Sequence, residues 1–177
     1  MNYGQRVSSS PHADKPDFGR GTVSNRFAGR GAKVALFDVS EAGMAETGEG
    51  FDNVRGWSVD ITNFEAVKAA AAEVEAAFGP VTKLYNCAAI MPFGILLEQD
   101  NGIIHKQMEI NYGGLVNITQ AVLPGMVERG AGDFVSFASM AGWIPMLKTG
   151  AYTATDRREG GRPKPVGLMV RAGRVVS

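Results

Sequence analysis

Short apolar runs bounded by turn residues alternate with amphipathic stretches through the middle of the chain. The runs Ala32 to Phe37 (AKVALF), Gly56 to Val59 (GWSV), Val81 to Tyr85 (VTKLY) and Asp133 to Phe137 (DFVSF) read as strands buried on both faces of a parallel sheet. Between the second and third, Val67, Ala71, Val74 and Phe78 recur at steps of four, three and four, while Glu65, Lys68 and Glu75 fall on the other side. That period predicts an amphipathic helix opening at Thr62 and closing at Gly79-Pro80, with Thr62 and Glu65 at the spacing of a capping box. A second helical stretch runs from Gly102 to Arg129, with Leu115, Ile118 and Val122 on one face and Gly130 as its stop. Strand and helix in regular succession predict an α/β domain whose parallel sheet is covered on both faces.

The flanks differ in character. Residues 1–17 are polar, carry two prolines and read as a divergent or disordered leader. Residues 18–155 form the predicted domain, and residues 156–177 return to Arg, Gly and Pro, with Val166 to Val170 and Val175 to Val176 as short strand-like pieces. The 177 residues suit one domain, and 18 basic side chains balance 18 acidic ones, which gives no pull toward nucleic acid or an anionic membrane. One cysteine, Cys87, rules out an intramolecular disulfide, and no apolar core of a signal peptide opens the chain, so the cytoplasm is the expected compartment. His12 and His105 have no partner at metal-ligand spacing, so no metal is expected.

Chemistry enters at the strand ends. Asp38 closes the run GAKVALFD, where a dinucleotide-binding unit carries an acid that bonds the adenosine ribose. VDIT at 59–62, LYNCAA at 84–89, INYGG at 110–114, SFASMAG at 136–142 and AYTAT at 151–155 follow in order, with Ser139 and Tyr152 thirteen residues apart. In this order and spacing the chain resembles the short-chain dehydrogenase/reductase family over about 140 residues.

The resemblance implies a Rossmann-type, doubly wound sheet in three α/β/α layers, truncated at the carboxyl side, and hydride transfer between a nicotinamide and a carbonyl or secondary alcohol. It implies Tyr152 as general acid/base, Ser139 as the hydrogen-bond partner of the substrate oxygen, and Asn111 as the residue that orients the family's lysine through a water. Asp60 with Ile61 would contact the adenine, and Asn86 with Ala88 and Ala89 would support the cofactor in place of Asn-Asn-Ala-Gly. NAD is expected over NADP from Asp38, with a small-molecule substrate and a homo-oligomeric assembly.

Two positions depart from the family. Its lysine, four residues after the Tyr, is here Asp156, a carboxylate that opposes the phenolate Tyr152 must approach. Its amino-terminal Thr-Gly-x-x-x-Gly-x-Gly turn survives at most as Gly19 and Gly21, and Ser8 to Ser10 fall where an apolar central strand belongs. A one-base shift of codons for Val-Val-Ile-Thr yields Ser-Ser-Ser-Pro, so residues 8–17 read either as an out-of-frame segment or as a divergent loop. A catalytically silent nucleotide-binding or oligomerisation module is therefore the alternative to an active dehydrogenase.

Overall fold

The computed structural model describes residues 5–7, 20–142, 144, 147–156, 168–171 and 174–175. Among the described residues seven strands form one sheet: β1 (Gln5–Val7), β2 (Val34–Asp38), β3 (Val54–Ser58), β4 (Lys83–Asn86), β5 (Asp133–Ser136), β6 (Leu168–Arg171) and β7 (Arg174–Val175), in the order β3-β2-β1-β4-β5-β6-β7. The first five run parallel, as the sequence predicts; β6 and β7 turn antiparallel, a departure from a wholly parallel sheet. The order reverses between β1 and β4, the switch point at which doubly wound folds bind their ligands. The expectation that Ser8 to Ser10 hold the central strand is corrected: Gln5–Val7 does so, with Gln5 opposite both Ala35 and Leu84, and Ser8 to Ser10 lie outside the described residues.

Six α-helices connect these strands among the described residues: α1 (Arg20–Ala28), α2 (Glu41–Gly48), α3 (Phe64–Phe78), α4 (Asn101–Met108), α5 (Leu115–Glu128) and α6 (Gly150–Asp156). Every residue of β2 is buried, and its alternation feeds two cores. Val34 and Leu36 pack with Ala28 of α1 and Met44 of α2 on one face. Ala35 and Phe37 face the other, with Trp57, Leu84 and Phe134 against Val67, Ala71 and Val74 of α3 and Ile118 and Val122 of α5. The second face buries the apolar stripes that helical periodicity predicts for α3 and α5. Gly130, at φ 63°, ends α5 in the left-handed conformation that favours glycine.

The start of α3 corrects the predicted capping box. Asn63, at φ −95° and ψ 102°, is the last extended residue, and its side chain accepts the Ala66 N–H at 3.1 Å. Thr62 is drawn away because its hydroxyl donates to Asp60 Oδ1 at 2.7 Å. The stretch predicted as one helix from Gly102 to Arg129 is α4 and α5 joined by a π-helical segment, Glu109–Gly114. Residues stay in the right-handed helical region across both junctions, so the chain widens by one turn without breaking.

Candidate active site

The polar residues singled out in the sequence collect at the carboxyl ends of the parallel strands. Asp38 is the last residue of β2, is buried, and accepts the Ser40 N–H on Oδ1 at 2.9 Å. Asp60 follows β3 and repeats the device: its Oδ1 accepts the Thr62 N–H at 2.9 Å as well as the Thr62 hydroxyl. Those bonds, the backbone one foremost, hold the Asp60 carboxyl below its ordinary value of 3.8. Ile61 beside it is buried and packs against Gly114, where an added Cβ would lie 2.3 Å from Ile61 Cδ1. Asn117 of α5, which the sequence reading missed, donates its amide to the Ile61 and Thr62 carbonyls at 2.8 and 3.1 Å and ties this loop to the helix. Nothing local in the sequence announces that role, because the partners are more than fifty positions away.

Asn86 ends β4. It is buried, and among the described residues its Oδ1 has no hydrogen-bond partner, an orphaned acceptor in the strand next to the switch point. Ala88 is buried and Ala89 exposed on the loop that follows. Gly21 lies in the first turn of α1, and Gly19 lies outside the described residues. Along this edge a buried carboxylate at the end of β2, a second carboxylate after β3 and an amide oxygen at the end of β4 make a row of acceptors that fits the hydroxyl and amino donors of a dinucleotide.

Asn111 sits in the π-helical segment. Its Oδ1 accepts the Ile90 N–H at 2.8 Å, and its Nδ2 donates to the Ile90 carbonyl at 3.0 Å and to Thr155 Oγ1 at 3.1 Å. Thr155 in turn donates to the Tyr152 carbonyl at 2.7 Å, so Asn111 fastens the loop after β4 to the helix that carries Tyr152. Gln107, fully buried in α4 and also missed from the sequence, adds a bond from Nε2 to the Ile90 carbonyl at 3.2 Å. The extra residue of a π turn redirects the side chains around it, and such turns recur at functional sites. Ser139 follows β5, and its Oγ accepts the Ala141 N–H at 3.1 Å, which starts the 3₁₀ turn Met140–Gly142. The helix bearing the half-buried Tyr152 packs against that turn, against the π-helical segment and against α4. It ends at Asp156, one helical turn past Tyr152.

Among the described residues no three His, Cys, Asp or Glu side chains gather as metal ligands, and no helix is long and apolar enough to cross a membrane.

Comparison with known proteins agrees with this geometry. The model of the short chain dehydrogenase family matches residues 18–156. Two relatives from Xanthobacter autotrophicus cover 70% of the chain. One, named inactive 2-(S)-hydroxypropyl-CoM dehydrogenase 2, is 36% identical over 54% of its own length; the other, 2-(S)-hydroxypropyl-CoM dehydrogenase 3, is 34% identical over 50%. The chain thus spans about half the length of these relatives. The crystal structure of a short-chain dehydrogenase from Streptomyces avermitilis superposes with a TM-score of 0.75 at 25% identity, over 87% of this chain and 56% of that one. The sheet order, the strand-end polar residues and the family match converge: the chain belongs to the short-chain dehydrogenase family.

Proposed function

We propose that the chain is a nicotinamide-dinucleotide oxidoreductase that moves a hydride between the nicotinamide and a carbonyl or secondary-alcohol carbon of a small molecule. In this reading NAD is favoured over NADP, Tyr152 is the general acid/base, and the protein works as a homo-oligomer. The observation that carries it is the row of Asp38, Asp60, Asn86 and Ser139 along the carboxyl ends of β2 to β5.

When bound, the dinucleotide supplies or accepts the hydride. Asp38 would accept hydrogen bonds from the adenosine ribose and repel a 2′-phosphate. Asp60 and Ile61 would border the adenine, Gly19 and Gly21 would approach the pyrophosphate, and Asn86, Ala88 and Ala89 would line the middle of the cofactor. Ser139 would donate to the substrate oxygen, and the Tyr152 hydroxyl would exchange a proton with that same oxygen. Asn111 has both of its side-chain atoms engaged with Ile90 and Thr155, so its role here is to hold the Tyr152 helix in register.

A second reading, a catalytically silent nucleotide-binding or oligomerisation module, is favoured by Asp156 in the lysine position and by the relative whose name marks it inactive. One set of measurements separates the two. NADH and NADPH are titrated by fluorescence, and NADH formation from a panel of secondary alcohols is followed from pH 7 to 10 for the chain and for Tyr152→Phe. Binding with turnover that Tyr152→Phe abolishes establishes the oxidoreductase. Binding without turnover establishes the silent nucleotide-binding module, and the absence of binding removes the oxidoreductase and leaves only an oligomerisation module.

A further inference from the structure

Residues 60–63 make the turn between β3 and α3. Its shape comes from bonds inside it: the Asn63 N–H donates to the Asp60 carbonyl at 3.0 Å, and Asp60 Oδ1 accepts both the N–H and the hydroxyl of Thr62. Its place comes from the helix across from it. Ile61 packs against Gly114, and the Asn117 amide donates to the Ile61 and Thr62 carbonyls at 2.8 and 3.1 Å. Gly114 and Asn117, three residues apart, are neighbours on one helical face, so a close approach and a pair of hydrogen bonds hold the turn from the same side.

Two of these bonds meet in one peptide unit. Asn117 holds the carbonyl of the Ile61–Thr62 peptide, and Asp60 Oδ1 holds its N–H. A peptide unit is a rigid plane, so a rotation that frees the carbonyl from Asn117 also turns the N–H away from the carboxylate. The side chain at 117 thus governs the direction of Asp60 without touching it.

The turn also keeps two polar groups unspent. Ile61 is only 3% exposed, yet its N–H has no hydrogen-bond partner among the described residues. Backbone donors of buried residues are rarely left this way without a ligand or water to meet them. Beside it stands the Asp60 carboxylate, whose two bonds both fall on Oδ1 and leave Oδ2 for a further donor. One donor next to one acceptor complements the edge of adenine, where N1 accepts and the 6-amino group donates. Hypoxanthine carries the reverse pair, an N1–H and a 6-oxo group.

We propose that Asn117 is a positioning residue for base recognition: through the Ile61–Thr62 peptide it aims the Asp60 carboxylate and the Ile61 N–H at adenine. The proposal rests on the nucleotide-binding part of the reading above. A residue that only stabilised the fold would weaken every dinucleotide alike, whereas one that aims this donor and acceptor changes which base is preferred.

The test titrates the full chain, by fluorescence, with NADH and with its reduced hypoxanthine analogue. The unaltered chain is expected to bind NADH about tenfold more tightly than the analogue, the worth of roughly one net hydrogen bond. Asn117→Leu and Asn117→Asp, which have similar bulk and no amide donors, should each weaken NADH about tenfold. Both should leave the analogue within about twofold, so that the preference disappears. Urea unfolding shows whether each variant folds. If a folded variant weakens both dinucleotides by the same factor, or changes neither, the proposal is overturned while NADH binding leaves the underlying reading standing. An unaltered chain that binds NADH and the analogue equally also overturns it, since the turn then reads no base. If neither variant folds, Asn117 is a structural residue and the proposal falls. Absence of NADH binding to the unaltered chain removes the nucleotide-binding reading and this proposal together.

Discussion

At the β2 and β3 ends of the sheet, Asp38 and Asp60 are fixed alike: each Oδ1 accepts the backbone N–H two residues on, from Ser40 and Thr62, at 2.9 Å in both cases. These are local turns that Asp forms with its own chain, and they need little from the rest of the molecule. Around Tyr152 the fastening is long-range, since Asn111 reaches Ile90 twenty-one residues away and Thr155 forty-four residues away. The shape of that corner is held by the hydrogen bonds of Asn111 to Ile90 and Thr155, whereas the charge one turn past Tyr152 depends on the residue at 156. In the proposed reading nucleotide recognition and proton transfer can therefore part company: a carboxylate at 156 would slow the second and leave the first in place.

The sharpest way to break that contrast is to reverse the charge. Asp156→Lys should raise dehydrogenase turnover about ten- to a hundredfold, the range expected when a repelling charge beside an ionising group becomes an attracting one. Turnover should remain below that of a complete family enzyme, because positioning of cofactor and substrate supplies much of a hydride-transfer rate. Steady-state assays with a secondary alcohol at pH 7 to 10 check it, and an unchanged rate would detach the catalytic corner from its charge.

Next in size is a packing test of the adenine side. Gly114→Ala puts a Cβ 2.3 Å from Ile61 Cδ1, a buried contact that must move. Urea unfolding should show a loss of about 1–3 kcal/mol, with weaker NADH binding as the Ile61 loop shifts. Asp38→Ala comes third: it should erase a preference for NADH over NADPH of about tenfold, equivalent to ~1.4 kcal/mol, read from paired fluorescence titrations. Equal affinities in the unaltered chain would remove Asp38 from the cofactor site.

The smallest effect concerns acid. The Asp60 carboxyl is held below its ordinary value in the folded chain, so the stability it contributes is present above about pH 4 and is lost as pH falls through its folded value. Asp60→Asn should therefore lower the Tm slightly at pH 7, and the gap should close toward pH 3. The group is largely exposed, which limits the effect to about 0.5 kcal/mol.

Much of this architecture is legible in the sequence because it rests on periodicity. The predicted runs at 32–37, 81–85 and 133–137 overlap β2, β4 and β5, and the stripe Val67, Ala71 and Val74 is buried as its spacing requires. The run at 56–59 overlaps β3 with its start two residues late, since the exposed Arg55 interrupts the apolar signal. The choice of Asn63 over Thr62 as cap was not legible, because it depends on Asp60 taking the Thr62 hydroxyl. The π-helical segment was equally hidden: EINYGG continues a helical pattern, and only the pull of Ile90 on Asn111 gives the wider turn a purpose. The reversal of β6 against β5 has no signature in strand propensity, which is blind to direction. Asn117 and Gln107 were missed for the same reason, as polar residues whose partners come from elsewhere in the fold.

The proposed reading, nucleotide recognition beside proton transfer slowed by Asp156, is tested most directly by following NADH fluorescence over time after mixing the unaltered chain, NADH and a ketone such as 2-octanone at pH 7. The account predicts an immediate emission increase that saturates with protein and then decays slowly, yet measurably faster than in a protein-free control. A rapid decay that Tyr152→Phe abolishes would contradict it, since proton transfer would then proceed at full rate despite Asp156, with another cation such as Lys148 in the lysine's place. No emission increase at all would contradict it from the other side.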